Sequence, residues 1–390
     1  MRNINLTYCT NVHSQANFAD WEDIVGYFGS TIRANLGWPQ LPLGLWFNAS
    51  LLAEMSRDRV KSLLAENHLS TFTFNAFPYG NFHQKVVKTK VYHPDWTEAS
   101  RLDYTVACAR LLAFLLPEGG EGSVSTLPLG WRVGWTPGHS RRAAEQLCAW
   151  VGEARILADT TGRIIRLGLE PEPGCILENI DQVIAFWNAH LLPAAEEAGL
   201  SPETLQNFCG VCYDTCHQAV QFEDPVEVLD KLAAAGIRVV KMQLSNALEF
   251  LPDPERRSQA LRRQFTEEKF LHQTRVHLPG GIAFYDDLPE ALDKPDLDWG
   301  QPWRVHFHLP IDAADLLDPE WIGTTRADML KAYRHALDKD LCRHFEVETY
   351  TWSVLPPAYR PATRADLAHS LARELKFIAD KTPDGVALNA

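Results

Sequence analysis

Short runs of apolar or alternating residues return along this chain, separated by longer segments with helical spacing of their apolar positions. The strand-like runs begin at Asn5 (NLTYCTNVH), Leu41 (LPLGLWFNAS), Ser70 (STFTFNAF), Ser123 (SVSTLPLG) and Ile164 (IIRLGLEPEPG). Others follow at Phe208 (FCGVCYDTCH), Ile237 (IRVVKMQLSNA), Arg304 (RVHFHLPI) and His344 (HFEVETYTW). Strands alternating with amphipathic helices predict βα units around a parallel sheet. Asn48 or Ser50 can cap LLAEMSRDRVKSLLAEN, and Gly199 and Gly236 each stand where a helix stops. Nine runs exceed the eight of a (β/α)₈ barrel, so RVHFHLPI is taken as the surplus, an excursion between the last two barrel strands. A doubly wound open sheet ordinarily carries a glycine-rich phosphate turn after its first strand, and TYCTNVHSQ is not one. The expectation is one (β/α)₈ TIM-barrel domain over 1–390, with an irregular insertion at about 250–303 and a last helix at about 364–381.

Side chains two apart on a strand share a face, so polar residues in that phase mark a face that is not ordinary core. Arg166, Gly168, Glu170 and Glu172 fall in one phase, as do Gly210, Cys212 and Asp214. Lys241, Gln243 and Ser245 repeat it, then Glu346, Glu348 and Tyr350, while His306 and His308 share a face of RVHFHLPI. In a barrel such a face points inward and opens at the carboxyl ends of the strands, where these folds keep their chemistry. Crowded buried carboxylates disfavour joint ionisation unless a cation compensates. Glu170, Asp214, Gln243 and Glu348 make an oxygen-rich set suited to Mn²⁺ or Mg²⁺, and His217, His306 and His308 suit Zn²⁺. His13 and Asn75, near the ends of the first and third strands, are candidates for the pocket wall or for turns. Taken one at a time, a strand-end glutamate also serves as an ion-pair partner or cap, and a buried histidine bonds to backbone carbonyls.

Charge narrows the partners. The formal net charge of −13 opposes binding to phosphate backbones, so no nucleic acid is expected. The first residues, MRNINLTYCTNVH, lack the apolar stretch of a signal peptide, and no segment is apolar enough to span a bilayer. Eight cysteines in 390 residues are too sparse for a disulfide scaffold. Most sit in apolar runs and Cys209 and Cys212 fall on opposite strand faces, so packed, reduced thiols in the cytoplasm are expected, and an oligomer is possible.

LGLEPEPG with Glu170, GVCYDTCH with Asp214 and His217, and FEVETYTW with Glu348 resemble the xylose-isomerase-like barrel superfamily of sugar isomerases, epimerases and endonuclease IV. Within it, LTYCTNVH, FNAFPYGNFH, STLPLGW, KMQLSNAL, HFHLP and VETYTWSVLP are most similar to the EboE metabolite-traffic proteins. The resemblance implies a metal held by Glu170, Asp214 and Glu348, with Gln243 where the superfamily has a histidine and the two glutamates doubling as acid and base. His217 and His306-x-His308 are similar to the outer metal ligands of endonuclease IV, but Asn75 and Ser125 or Thr126 stand where its early-strand histidines belong. Three functions are expected in turn. The first is a metal-dependent isomerase or epimerase of a small sugar-like or hydroxycarbonyl compound, with Glu172, His217 and Lys241 orienting the substrate. The others are a phosphoester hydrolase and a non-catalytic metabolite carrier.

Overall fold

Parallel strands buried on both faces require apolar runs closed by short turns, and this pattern builds the first half of the molecule. The computed structural model describes residues 2–313 and 318–389. Seven strands come first: β1 (Arg2–Cys9), β2 (Leu41–Leu45), β3 (Leu69–Asn75), β4 (Glu121–Thr126), β5 (Ile164–Leu169), β6 (Cys209–Asp214) and β7 (Val239–Leu244). Then come β8 (Asn246–Phe250), β9 (Thr274–Leu278), β10 (Gly281–Tyr285), β11 (Trp303–Leu309), β12 (Ile322–Thr324), β13 (His344–Val347) and β14 (Val386–Asn389). Strands β1 to β7 pair in order, all parallel, and β13 pairs with both β7 and β1 to close an eight-stranded barrel. The expected (β/α)₈ class is therefore the observed one. β14 lies along the first half of β1, pairing Arg2 with Val386, while β2 pairs with its end at Tyr8 and Cys9.

Local chemistry sets the helix ends. The single helix expected after Asn48 is two: Asn48 caps Ala49–Glu54, Met55 is extended, and Ser56 caps Arg57–Glu66. Ser56 Oγ accepts from the Arg59 amide, so a second cap competes with helix continuation. Gly199 and Gly236 take positive φ just beyond helices, a conformation open to glycine without steric cost. The helix Arg364–Lys381 opens with a Thr363–Asp366 capping box.

The stretch at about 250–303, expected to be irregular, is ordered. Residues 246–324 hold a five-stranded antiparallel sheet in the order β10-β9-β11-β8-β12, and RVHFHLPI forms its central strand β11. Its strands mix charged residues, Arg275 buried and Arg304 and Glu249 partly buried, with apolar ones, which hides the alternation of a half-buried sheet. The apolar core lies between barrel and helices, whereas the barrel interior is polar. There Ser123 Oγ donates to Thr73 Oγ1 at 2.8 Å, and the fully buried Lys241 and Glu346 pair at 2.5 Å. Gly44 makes room for that pair, since a Cβ there would sit 1.7 Å from Glu346 Oε1. Among the described residues no helix is long and apolar enough to cross a membrane, and all eight cysteines are buried and unpaired.

Candidate active site

Just past β5, at the end of β6 and just past β13, three carboxylates converge. Oxygen atoms of Glu170, Asp214 and Glu348 all lie within 4.8 Å of one another, and all three residues are buried. Asp214 Oδ1 accepts from the Cys216 and His217 amides at 2.7 and 3.0 Å and from Ser245 Oγ at 2.7 Å. Burial pushes the Asp214 carboxyl up, but His217, His308 and these hydrogen bonds outweigh it, so it stays below its ordinary value. Glu348 Oε1 accepts from the side-chain amides of Asn11 and Asn75 at 2.8 and 2.9 Å. Burial, followed by the neighbouring carboxylates, pushes Glu170 and Glu348 well above the usual carboxylate range. Glu170 Oε2 and Asp214 Oδ2 are buried without a hydrogen-bond partner. Unpaired carboxylate oxygens in a cluster of three are costly and fit a cation.

Beside this cluster, β11 brings His306 and His308 against His217 in the first turn of the helix Thr215–Val220. His217 Nδ1 stands 3.0 Å from the Pro171 carbonyl, His308 Nδ1 2.8 Å from the Glu348 carbonyl, and His306 Nδ1 2.8 Å from Gln273 Oε1. The Gln273 amide is fixed that way round because its Nε2 donates to Glu172 Oε1 at 3.1 Å and to the Pro173 carbonyl at 2.9 Å. All three Nδ1 atoms face acceptors, so each carries the proton and each Nε2 presents a lone pair. Burial holds His217 down to about 4, and His306 well below the ordinary imidazole value. His308 is lowered by burial too. His306 Nε2 stands 3.0 Å from His217 Nε2 and 3.2 Å from His308 Nε2. Facing lone pairs with no proton between them repel, and a bound cation converts that repulsion into ligation. The residues fit a metal centre on both counts, and Cys216 lies close to His306 and His308.

Above these groups opens a cavity lined by Asn11, Asn75, Glu170, Glu172, His217, His306 and Glu348 toward the barrel. Glu172 Oε1 accepts from Tyr92 Oη at 2.7 Å, and burial lifts its carboxyl to about 8 against those hydrogen bonds. Of the residues expected at the site, the structure brings Glu170, Glu172, Asp214, His217, His306, His308, Glu348 and Asn75 together. Three it places elsewhere. Lys241 lies beneath the cavity, bound to Glu346 and to Ser125 Oγ at 3.1 Å. Gln243 turns toward that layer, its Oε1 accepting from Cys212 Sγ at 3.2 Å, so its amide oxygen is engaged away from the carboxylates. His13 packs on Phe28, ring centroids 4.2 Å apart, because the 3₁₀ turn Thr10–Val12 carries the chain out of the strand direction. Asn11, Tyr92, Gln273 and Tyr350 complete the site. The phase of Glu346 and Glu348 places Tyr350, but Tyr92 and Gln273 come from connections with no periodic pattern.

No family model matches the sequence, and no curated protein sequence matches it. Solved structures share its fold at low identity. A xylose isomerase-like TIM barrel protein from Mycobacterium smegmatis, in complex with magnesium, is 13% identical with a TM-score of 0.53, over 97% of each chain. A D-allulose 3-epimerase from Methylomonas sp., in complex with D-allulose, is 12% identical with a TM-score of 0.50, over 98% of each chain. An L-ribulose 3-epimerase is 13% identical with a TM-score of 0.50, covering 97% of this chain and 94% of its own. What these neighbours share with this chain, from end to end, is the xylose-isomerase-like TIM-barrel fold.

Proposed function

We propose that this protein is a metal-dependent isomerase or epimerase acting on a small sugar-like or hydroxycarbonyl compound. The observation that carries the reading is the pair Glu170 and Glu348, which face one cavity and whose oxygens, with those of Asp214, all lie within 4.8 Å of one another. Glu170, Asp214 and Glu348 would hold a divalent cation, Mn²⁺, Mg²⁺ or Zn²⁺, and His217, His306 and His308 would take a second. When bound, such an ion supplies Lewis-acid polarisation of a substrate carbonyl. The chain's own groups do the proton work. Glu170 Oε2, free of partners, takes a proton from the carbon beside the carbonyl, and Glu348, oriented by Asn11 and Asn75, returns one. Glu172 and Asn75 border the space where hydroxyl groups would sit. The neighbouring epimerases, which by name act on D-allulose and L-ribulose, support the substrate size, the net charge of −13 speaks against a nucleic-acid partner, and the eight buried, unpaired cysteines support a cytoplasmic enzyme.

The test is deuterium uptake from D₂O into a panel of ketoses and hydroxyketones, followed by NMR with Mg²⁺ or Mn²⁺ added. Glu170→Gln and Glu348→Gln should each slow exchange by about 10²–10⁴-fold while leaving the circular dichroism spectrum unchanged. Exchange at the wild-type rate in both variants overturns the assignment. The three-histidine cluster favours a second reading, phosphoester hydrolysis with more than one ion. Hydrolysis of bis-p-nitrophenyl phosphate by zinc-loaded protein, without ketose exchange, would select it. The likeness to EboE proteins supports a carrier on the same pocket, which retained ligand without turnover of any kind would select.

A further inference from the structure

The cavity is two-sided. Its barrel side is carboxylate, amide and imidazole, but its outer side is apolar: Phe77, Phe82, Val87, Val91, Phe270 and the Tyr350 ring line it. These residues come from two connections and a strand end. Phe82 and Val87 lie in the segment after β3, Phe270 in the insertion ahead of β9, and Tyr350 beyond β13. The rings of Phe82, Phe270 and Tyr350 pack mutually with centroids 4.9, 5.2 and 5.0 Å apart. Val87 N donates to the Lys269 carbonyl at 2.8 Å, tying the two connections together, and the one cation lining this side, Lys88, is paired with Asp287. The hydroxyl of Tyr350 turns to His306 Nε2 at 3.4 Å, leaving its ring on the apolar side.

A free sugar carries a hydroxyl on nearly every carbon. Bound with its carbonyl end on Glu170 and Glu348, it would press the far hydroxyls against Phe82, Val87 and Phe270, where nothing replaces their lost water. A molecule with a polar head and an apolar body meets a partner at every surface. From this two-sided lining we infer that the substrate is an amphiphilic hydroxycarbonyl compound, a hydroxyketone or vicinal diol head joined to an aromatic or alkyl body, and not an unsubstituted sugar. This rests on the proposal that the carboxylate floor is the reactive end.

The test compares three ligands on the Mg²⁺-supplemented full chain by ligand-observed NMR titration: hydroxyacetone (the head alone), D-fructose (head with a hydroxylated body) and 2-hydroxyacetophenone (head with an aromatic body). Burying a phenyl ring predicts about tenfold or greater preference for 2-hydroxyacetophenone over both others. Phe270→Ala should bring the ratio toward unity, and Phe270→Leu, which keeps an apolar wall, should retain most of it. Equal or tighter binding of D-fructose overturns the inference, as does absence of binding by 2-hydroxyacetophenone. The two proposals fail separately. Selective binding of the aromatic compound without deuterium exchange upholds the ligand class and removes the isomerase reading. Exchange on D-fructose with no aromatic preference does the reverse.

Discussion

Replacing Lys241 by Met should destabilise the protein severely without acting through substrate contact. Lys241 and Glu346 are both fully buried, their Nζ and Oε2 atoms 2.5 Å apart, and Lys241 also donates to Ser125 Oγ at 3.1 Å. At an effective dielectric of about 20 the attraction is roughly 6–7 kcal/mol, most of it offset by desolvation of the two charges. Removing the lysine leaves Glu346 buried without its cation, a change that costs about 3–5 kcal/mol in comparable pairs. Guanidinium unfolding at pH 7 should show a lower midpoint with an unchanged slope. Lys241→Met/Glu346→Gln, which removes the stranded charge, should recover more than half of the loss. The sign of the pH effect follows from linkage. Burial already raises the Glu346 carboxyl, and Lys241 is the chief influence lowering it. Without Lys241 the folded value climbs further above the unfolded one, so the deficit is smallest in acid and grows as pH rises from about 4.3. A loss under about 1 kcal/mol, or a double variant no more stable than the single, would refute the buried-pair account.

Other outcomes follow from the same geometry. His306→Ala should lower zinc stoichiometry by about one ion per chain, measured by plasma emission after dialysis against zinc, and equal stoichiometry in variant and wild type would remove the three-histidine site. Glu374 is fully buried, accepts from Thr349 Oγ1 at 2.7 Å, and is pushed by burial to about 8. Its folded value exceeds the unfolded one, so it withdraws up to about 5 kcal/mol of stability as pH rises from about 4.5 to 8. Glu374→Gln should flatten that decline in urea titrations at pH 5 and 8, and an unchanged slope would contradict the shift. Gly210→Ala sets a Cβ 2.2 Å from the Arg238 carbonyl oxygen, a backbone atom that cannot turn aside. It should cost about 2–3 kcal/mol, checked by thermal unfolding.

Much of the site was legible because strand alternation identifies an inward face and the barrel fixes which end is open. Glu170, Asp214 and Glu348 followed from those two rules. Alternation does not fix the depth at which a long side chain ends. Lys241 and Gln243 share the inward phase with these carboxylates, yet Lys241 pairs with Glu346 and the Gln243 amide turns to Cys212, both below the cavity. His13 failed for a different reason, since a short 3₁₀ turn rotates the chain before it and hands the ring to Phe28. Tyr92 and Gln273 reach Glu172 across 80 and 101 residues of sequence, a proximity set by the packing of connections and not by any local period. The alternation of the antiparallel sheet is hidden because arginines interrupt its strands, the buried Arg275 pairing with Glu178 and the partly buried Arg304 with Glu249 and Asp328.

The position of β11 divides the site between two parts of the fold. Glu170, Asp214 and Glu348 belong to the barrel, but His306 and His308 arrive on a strand of the inserted sheet, as does the Phe270 wall on the connection before it. The barrel strands alone bring the carboxylates together, and docking of the insertion against them adds those imidazoles and the Phe270 side of the cavity. Because that docking buries the histidines against groups a cation would hold, metal supply during folding would favour the docked state by mass action. The same division lets mutations in the insertion remodel ligand choice while the barrel, which carries the carboxylates, stays unaltered.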